Sequence, residues 1–459
     1  MTSGWPSRAC VLAVVGLAAV VYGPGVTGYF VSDDFALLQI ASSEPISAFL
    51  WLRDPARHAF FRPLPLALWR LDYLCFGFNP IGYHLTNIAL HCLNALLVAG
   101  IAQRVYKDRT LPLIAAALFL VHPFCPGVVL WISARYDLTA TLFMLLAVWV
   151  AIEVRVTRGL IGRIVFVTAV VLGLASKESA IVLPLVLTIL ASRTLAKVSG
   201  LTDRLVALPE VITAFGIVGA YLVVRLALYQ GLGGYGMHAQ VHAAQFANSL
   251  AALAVAVQPA YGAPTAGGPL WPVVLLALAA AGVLLWFAPL WLTWFLVMPA
   301  PALNLMPGLH HAPARDFERF LYSAVAGLAI GLATCWWRLQ KKHPLAAASA
   351  VMVIAVGYGV STFANVTDWL EAGRLTRQVQ ETLVAHKASV PYGSTIDCSA
   401  LPDTIRDAFA YFNACDAQIR LVWGGDAVRG ARNNELGRVS GAAFALSADG
   451  SRLVSLPRQ

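Results

Sequence analysis

The sequence predicts an all-α polytopic membrane protein of about 11 transmembrane helices, followed by a small extracytoplasmic α+β domain. Three observations predict it. The 459-residue chain is 59% hydrophobic and only 12% charged. Its apolar runs repeat at roughly 18 residues or more, enough to cross a hydrocarbon core of ~30 Å. Its basic residues collect in the short gaps between those runs. A single soluble core is excluded.

The first run, 10–29, follows Arg8 and is longer than a signal-peptide core, with no small-residue cleavage site, so it reads as a retained signal anchor. Further spans are expected at 82–103, 110–126, 137–152, 160–176, 178–193, 209–229, 269–286, 288–303, 319–337 and 344–363. The basic gaps are Arg104, Lys107 and Arg109; Arg155, Arg158 and Arg163; Arg193, Lys197 and Arg204; and Arg338, Lys341 and Lys342. The positive-inside rule puts all four gaps and the N-terminus in the cytoplasm and the C-terminus outside. The net charge of +9 is thereby a topology signal rather than a nucleic-acid footprint. Residues 230–268 open on a glycine-rich stretch and contain an apolar segment, 246–259, too short to span, which is expected to be re-entrant or interfacial.

Two units follow, a membrane domain over 1–364 and a soluble outer domain over 365–459. A long first outer loop, 30–81, holds Trp51, Arg53, Asp54, Arg57, His58, Phe61 and Arg62, a mixture suited to an amphipathic surface helix. The outer domain begins with a polar helix, 368–385, and carries Cys398 and Cys415, which are either a disulfide on the oxidising side or two buried thiols.

Chemistry concentrates at the outer ends of the spans. Asp33-Asp34 follows the first span; adjacent carboxylates at a water–lipid boundary suit cation binding or proton abstraction, against the bland reading of a solvated helix end. His84, Asn87, His91 and Asn94 share one helical stripe. The last three read as interhelical glue, whereas His84, nearer the boundary, is placed to reach a ligand. Arg135 offers a planar fork for a phosphate, or else a local ion pair with Asp137. Lys177 and Glu178 occupy a short turn, where they either neutralise each other or add a cation to the same boundary. Arg319 and Tyr322, at i and i+3, share a face that suits a phosphate or sugar. His310-His311 lacks zinc-type spacing, and no metal site is assigned.

In order, Val31-Ser32-Asp33-Asp34-Phe35, Phe61-Arg62-Pro63-Leu64, Gly82-Tyr83-His84-Leu85-Thr86-Asn87 with His91, His122-Pro123, Trp131 to Leu138, Ser176-Lys177-Glu178 and Glu318 to Tyr322 resemble the GT-C superfamily. The resemblance is to polyprenyl-phosphate-sugar-dependent glycosyltransferases of the TMTC and PMT O-mannosyltransferase type and their bacterial relatives. It implies a GT-C-like fold in a bacterial inner membrane and a sugar donor linked to a polyprenyl phosphate. It also implies inverting transfer to an acceptor hydroxyl on the outer face. Asp33, with Asp34 as its acidic partner, matches the family's base. Arg62, His84, Arg135, Lys177, Glu178, Arg319 and Tyr322 fall on matching motifs as donor-phosphate or substrate residues. No cofactor is required by this reading, although paired carboxylates also suit Mg²⁺ or Mn²⁺. No ~34-residue helical repeat of the TMTC type appears after Asn365, which argues against a TMTC-like protein acceptor and leaves a lipid, glycan or polymer acceptor open, so the acceptor, whether glycan, lipid or protein, is unknown. The alternative is a transporter or lipid-linked-glycan flippase, which predicts related halves; the sequence shows no internal repeat.

Overall fold

The computed structural model describes residues 6–45, 47, 60–152, 159–195, 208–229, 243–258, 271–302, 317–406, 408–432 and 442–456. Six helical segments there are long and apolar enough to cross a membrane: Arg8–Thr27, Pro80–Tyr106, Ile132–Ile152, Pro209–Ala227, Glu318–Leu339 and Pro344–His386. Four shorter apolar helices accompany them, Leu111–Leu120, Leu160–Leu174, Glu178–Ser192 and Val274–Phe287. The apolar segment expected to be too short to span forms a helix over Ala243–Ala256. His122 anchors its end, with Nε2 donating to the Ala256 carbonyl at 3.0 Å while Nδ1 accepts from Phe124 N at 3.2 Å. The amphipathic helix expected around Trp51 to His58 lies outside the described residues. Described helices in the first outer loop are α2, Asp34–Ser43, and α3, Pro63–Phe76, numbered after α1, Arg8–Tyr22.

Local sequence explains where the buried helices start. Asn79 caps α4, Pro80–Tyr106, by accepting from Ile81 N at 3.1 Å. Pro80 occupies the first turn, where its missing N–H leaves nothing unsatisfied. The polar stripe of α4 then faces inward, with Asn87, His91 and Asn94 all fully buried.

The expected last span and the expected polar helix form one continuous rod, Pro344–His386, 43 residues long. At 1.5 Å per residue it runs ~65 Å, about twice the hydrocarbon thickness. Its first half exposes Leu345, Met352, Val353, Val356, Val360 and Phe363, as a lipid-facing helix should. Its second half buries Asp368, Trp369, Ala372, Thr376, Val379 and Leu383 against the rest of the chain. Gly373 permits the closest approach, because a Cβ there would stand 2.7 Å from Tyr29 N. Beyond the rod, strands Thr395–Asp397 (β1), Arg429–Ala431 (β4), Ala443–Leu446 (β5) and Leu453–Ser455 (β6) form a sheet in the order β4-β1-β5-β6. The β1 pairings are parallel and β5–β6 is antiparallel. Cys398 and Cys415 are joined as a disulfide, which settles the choice the sequence left open. The other five cysteines are free thiols.

Candidate functional site

The aspartate pair sits on a tight turn whose two carboxylates face different surroundings. Ser32 adopts a left-handed backbone, φ +50°, and α2 begins directly at Asp34. Asp34 points inward and is fully buried. It accepts from Val31 N at 3.0 Å, Ser133 N at 2.7 Å and the Ser133 hydroxyl. Burial raises its carboxyl from the ordinary range to about 7, against the opposing pull of those hydrogen bonds. Asp33 is only half buried, and its Oδ1 accepts from Asn413 Nδ2 at 3.1 Å.

Opposite lies a cluster of charges drawn from five segments. Arg62, just before α3, pairs with Glu178 at 2.8 Å. Its guanidinium rests 4.2 Å from the Phe60 ring centroid and 4.9 Å from that of Tyr136. Glu178 also takes Arg225 at 3.2 Å, and Arg225 donates to the Tyr221 hydroxyl at 2.7 Å. One carboxylate therefore holds two guanidinium groups. Lys177 pairs with Asp137 at 2.6 Å. Burial lowers the Lys177 ammonium to about 8; Asp137 opposes that fall, while the charges of Arg62 and Arg319 add to it. Arg319 lies over Trp131 and Phe320, 5.1 and 4.9 Å from their centroids. Tyr136 joins the two sides, lying within electrostatic reach of both Arg62 and Asp33.

The structure thus brings together Asp33, Arg62, Lys177, Glu178 and Arg319. It places the other candidates elsewhere. Arg135 is fully buried and pairs at 2.6 Å with Asp72, not with Asp137; it also donates to Asn87 Oδ1 at 2.8 Å and Tyr83 O at 3.1 Å. Tyr322 is fully buried, its hydroxyl 2.7 Å from His91 Nδ1 and 3.1 Å from Asn94 Nδ2, apart from the face it was expected to share with Arg319. The helical stripe thus acts as glue, as expected for Asn87, His91 and Asn94. His84 is buried beside Gly28, lining a small cavity with Tyr29, Val31 and Trp369. Its room of about 10 Å³ admits about one water molecule.

Sequence reasoning missed three members. Arg225 carried a signal, being an arginine inside an apolar span at 209–229. Asp72 carried the same kind of signal, a lone acid in Pro63–Phe76. Asn413 carried none, because it lies some 380 residues from the aspartate it touches. Among the described residues no group of three His, Cys, Asp or Glu side chains forms a metal-binding cluster, and His310 and His311 lie outside them.

No protein-family model matches the chain. Protein O-mannosyl-transferase TMTC1 of Mus musculus is 33% identical over 155 residues, covering 31% of this chain and 16% of that protein. TMTC1 of Homo sapiens is 32% identical over 160 residues, 30% of this chain and 18% of that protein. Tmtc1 of Drosophila melanogaster is 35% identical over 142 residues, 28% and 16% of the two chains. The similarity thus spans less than a fifth of the length of each of those relatives. Over nearly the whole chain the fold is that of ArnT from Cupriavidus metallidurans. The apo structure superposes with a TM-score of 0.50 at 14% identity, covering 95% of this chain and 92% of that one. The structure bound to undecaprenyl phosphate gives 0.50 at 13%, covering 96% and 93%. Over about 30% of its length this integral membrane protein is thus similar to TMTC-type protein O-mannosyl-transferases, and over nearly its whole length it shares the fold of ArnT.

Proposed function

We propose that the chain is an inverting membrane glycosyltransferase that moves a sugar from a polyprenyl-phosphate donor to an acceptor hydroxyl on the outer face of a bacterial inner membrane. The observation that carries this reading is the juxtaposition of the half-buried Asp33 carboxylate with Arg62, Lys177 and Arg319, bridged by Tyr136. In the proposed step, Asp33 accepts the proton of the acceptor hydroxyl, whose oxygen bonds to the anomeric carbon. The bond from that carbon to the phosphate oxygen breaks, and its electron pair leaves with the polyprenyl phosphate. The sugar inverts at the anomeric centre. The cations stabilise charge that grows on the leaving phosphate in a setting where water competes poorly.

Within the pair we assign the base to Asp33, because three hydrogen bonds already commit Asp34 to holding the turn. Lys177, Arg62 and Arg319 bind the donor phosphate, and Glu178 and Arg225 set their positions. Arg135 and Tyr322 serve by fixing helices. In support, TMTC relatives bear the name O-mannosyl-transferase and ArnT has been solved with undecaprenyl phosphate. The termini follow the charge rule, N-terminus inside and C-terminal unit outside, and the disulfide suits an oxidising compartment. No step is routed through a metal ion.

Deletion and complementation test the proposal, read by mass spectrometry of surface glycans. Native protein restores the missing sugar, and Asp33→Asn lowers it by about 10²- to 10⁴-fold while the protein stays folded in the membrane. Full restoration by the Asp33→Asn, Asp34→Asn double variant sinks the mechanism and favours transport.

A further inference from the structure

The C-terminal unit does more than follow the membrane domain, since one of its turns closes directly on the aspartate pair. Ser32 N donates to Ala410 O at 2.9 Å, and the Ser32 hydroxyl donates to Phe412 O at 2.7 Å. Asn413 Nδ2 then donates to Asp33 Oδ1. Phe409, in the same stretch, packs 4.9 Å from the Trp131 ring over which Arg319 lies. The turn is pinned from both sides. Cys415, two residues on, is tied to Cys398, and Gln418 Nε2 donates to Thr376 O on the long helix at 3.0 Å.

We infer that Asn413 is a positioning residue for the proposed transfer: it orients the Asp33 carboxylate and favours its ionised, proton-accepting form. This rests on the reading of Asp33 as the base. The backbone at Asn413 is left-handed, φ +59°, a conformation that Asn adopts more readily than most residues. It does not explain why the side chain reaches across to a carboxylate on another segment. A donor to the charged form of a carboxylate stabilises that form, so removing it moves proton uptake to higher pH. The titratable and charged groups on elements packed around the turn are Asp34 itself; Arg135, Tyr136 and Asp137 on Arg135–Ile152; Arg62, Arg70, Asp72 and Tyr73 on and just before Pro63–Phe76; Glu178; and Asp416 and Arg420 on Cys415–Trp423. All of them stay in place when only the Asn413 amide is removed.

The test uses the full chain in lipid nanodiscs and a water-soluble carbodiimide with an amine trap, which modifies carboxyls in the protonated form. Fragment mass spectra separate Asp33 from Asp34. Asn413→Gly keeps the left-handed backbone and removes the donor; the pH of half-labelling at Asp33 rises by about half a unit to one unit. Asn413→Asp, which keeps the shape and puts a second carboxylate there, raises it further. If the Gly variant does not fold, the Asp variant decides. An unchanged midpoint in the folded variant overturns the inference while leaving the base assignment standing. Full glycan restoration by Asp33→Asn removes the base assignment, and the inference falls with it.

Discussion

Two charged regions of this protein use the same residue types to different ends. In the seam between the helices, Arg135 is matched by Asp72, Asn87 and the Tyr83 carbonyl, and Tyr322 is matched by His91 and Asn94. In the charge cluster, two arginines share the single carboxylate of Glu178, and Arg319 lies over Trp131 and Phe320. Removing one partner of a buried ion pair leaves the other charge uncompensated, so the seam's pairings are costly to break. On the proposed function, the cluster gathers positive charge where a donor phosphate would sit. The difference teaches that in this fold the same residue type is held by side-chain and carbonyl partners in the seam and by a shared carboxylate and aromatic rings in the cluster.

The strongest break of the comparison is to truncate one arginine from each region. Arg135→Ala leaves Asp72 buried and uncompensated, a cost of about 3–5 kcal/mol, and folded protein in the membrane should fall sharply. Pairing Arg135→Met with Asp72→Leu should recover much of the folded yield and of the transfer, because an apolar pair replaces the ionic one. Arg62→Ala should leave the yield near native and weaken donor use instead. Thermal unfolding in detergent, beside the glycan readout, separates the two; equal losses of folded protein in both single variants abolish the distinction.

A smaller effect sharpens the cluster alone. Lys177 is lowered to about 8 by burial and would bind the proposed donor phosphate only while protonated, so donor kcat/KM should decline as pH rises through about 8. Lys177→Arg keeps the charge throughout that range and should remove the alkaline limb, even where its fork fits less well. A limb that persists in Lys177→Arg assigns the titration to another group.

The smallest effect belongs to the seam. Tyr322→Phe removes a hydroxyl between His91 and Asn94 and should cost about 1 kcal/mol of stability with little change in transfer. A large loss of transfer with unchanged stability would instead return Tyr322 to the substrate site.

The aspartate turn shows the same split within two residues. Asp33 and Asp34 are adjacent, chemically alike and indistinguishable by pattern, yet one carboxylate is enclosed by Val31 and Ser133 and the other meets Asn413. The raised Asp34 carboxyl, at about 7, means that its protonated form is favoured in the folded state. Its contribution to stability is therefore complete below about 3.8 and is lost as pH rises through about 7.

By itself the sequence determined the class, a mostly helical membrane protein, and the motifs that carry charge beside apolar runs, whereas six described helices, not eleven, are long and apolar enough to cross. Apolar length and helical periodicity are local properties, and the bilayer imposes them on each segment separately. It also singled out Asp33, Arg62, Lys177, Glu178 and Arg319, because a charge beside an apolar run is conspicuous wherever it lies. Only the tertiary structure decided which charges meet. Arg135 chose Asp72 over its near neighbour Asp137, Asp137 chose Lys177, and Asn413 reached Asp33 across almost the whole chain. The physical reason is that partner choice depends on helix rotation, burial and the docking of the C-terminal segment on a single 43-residue rod, and spacing along the chain encodes none of these.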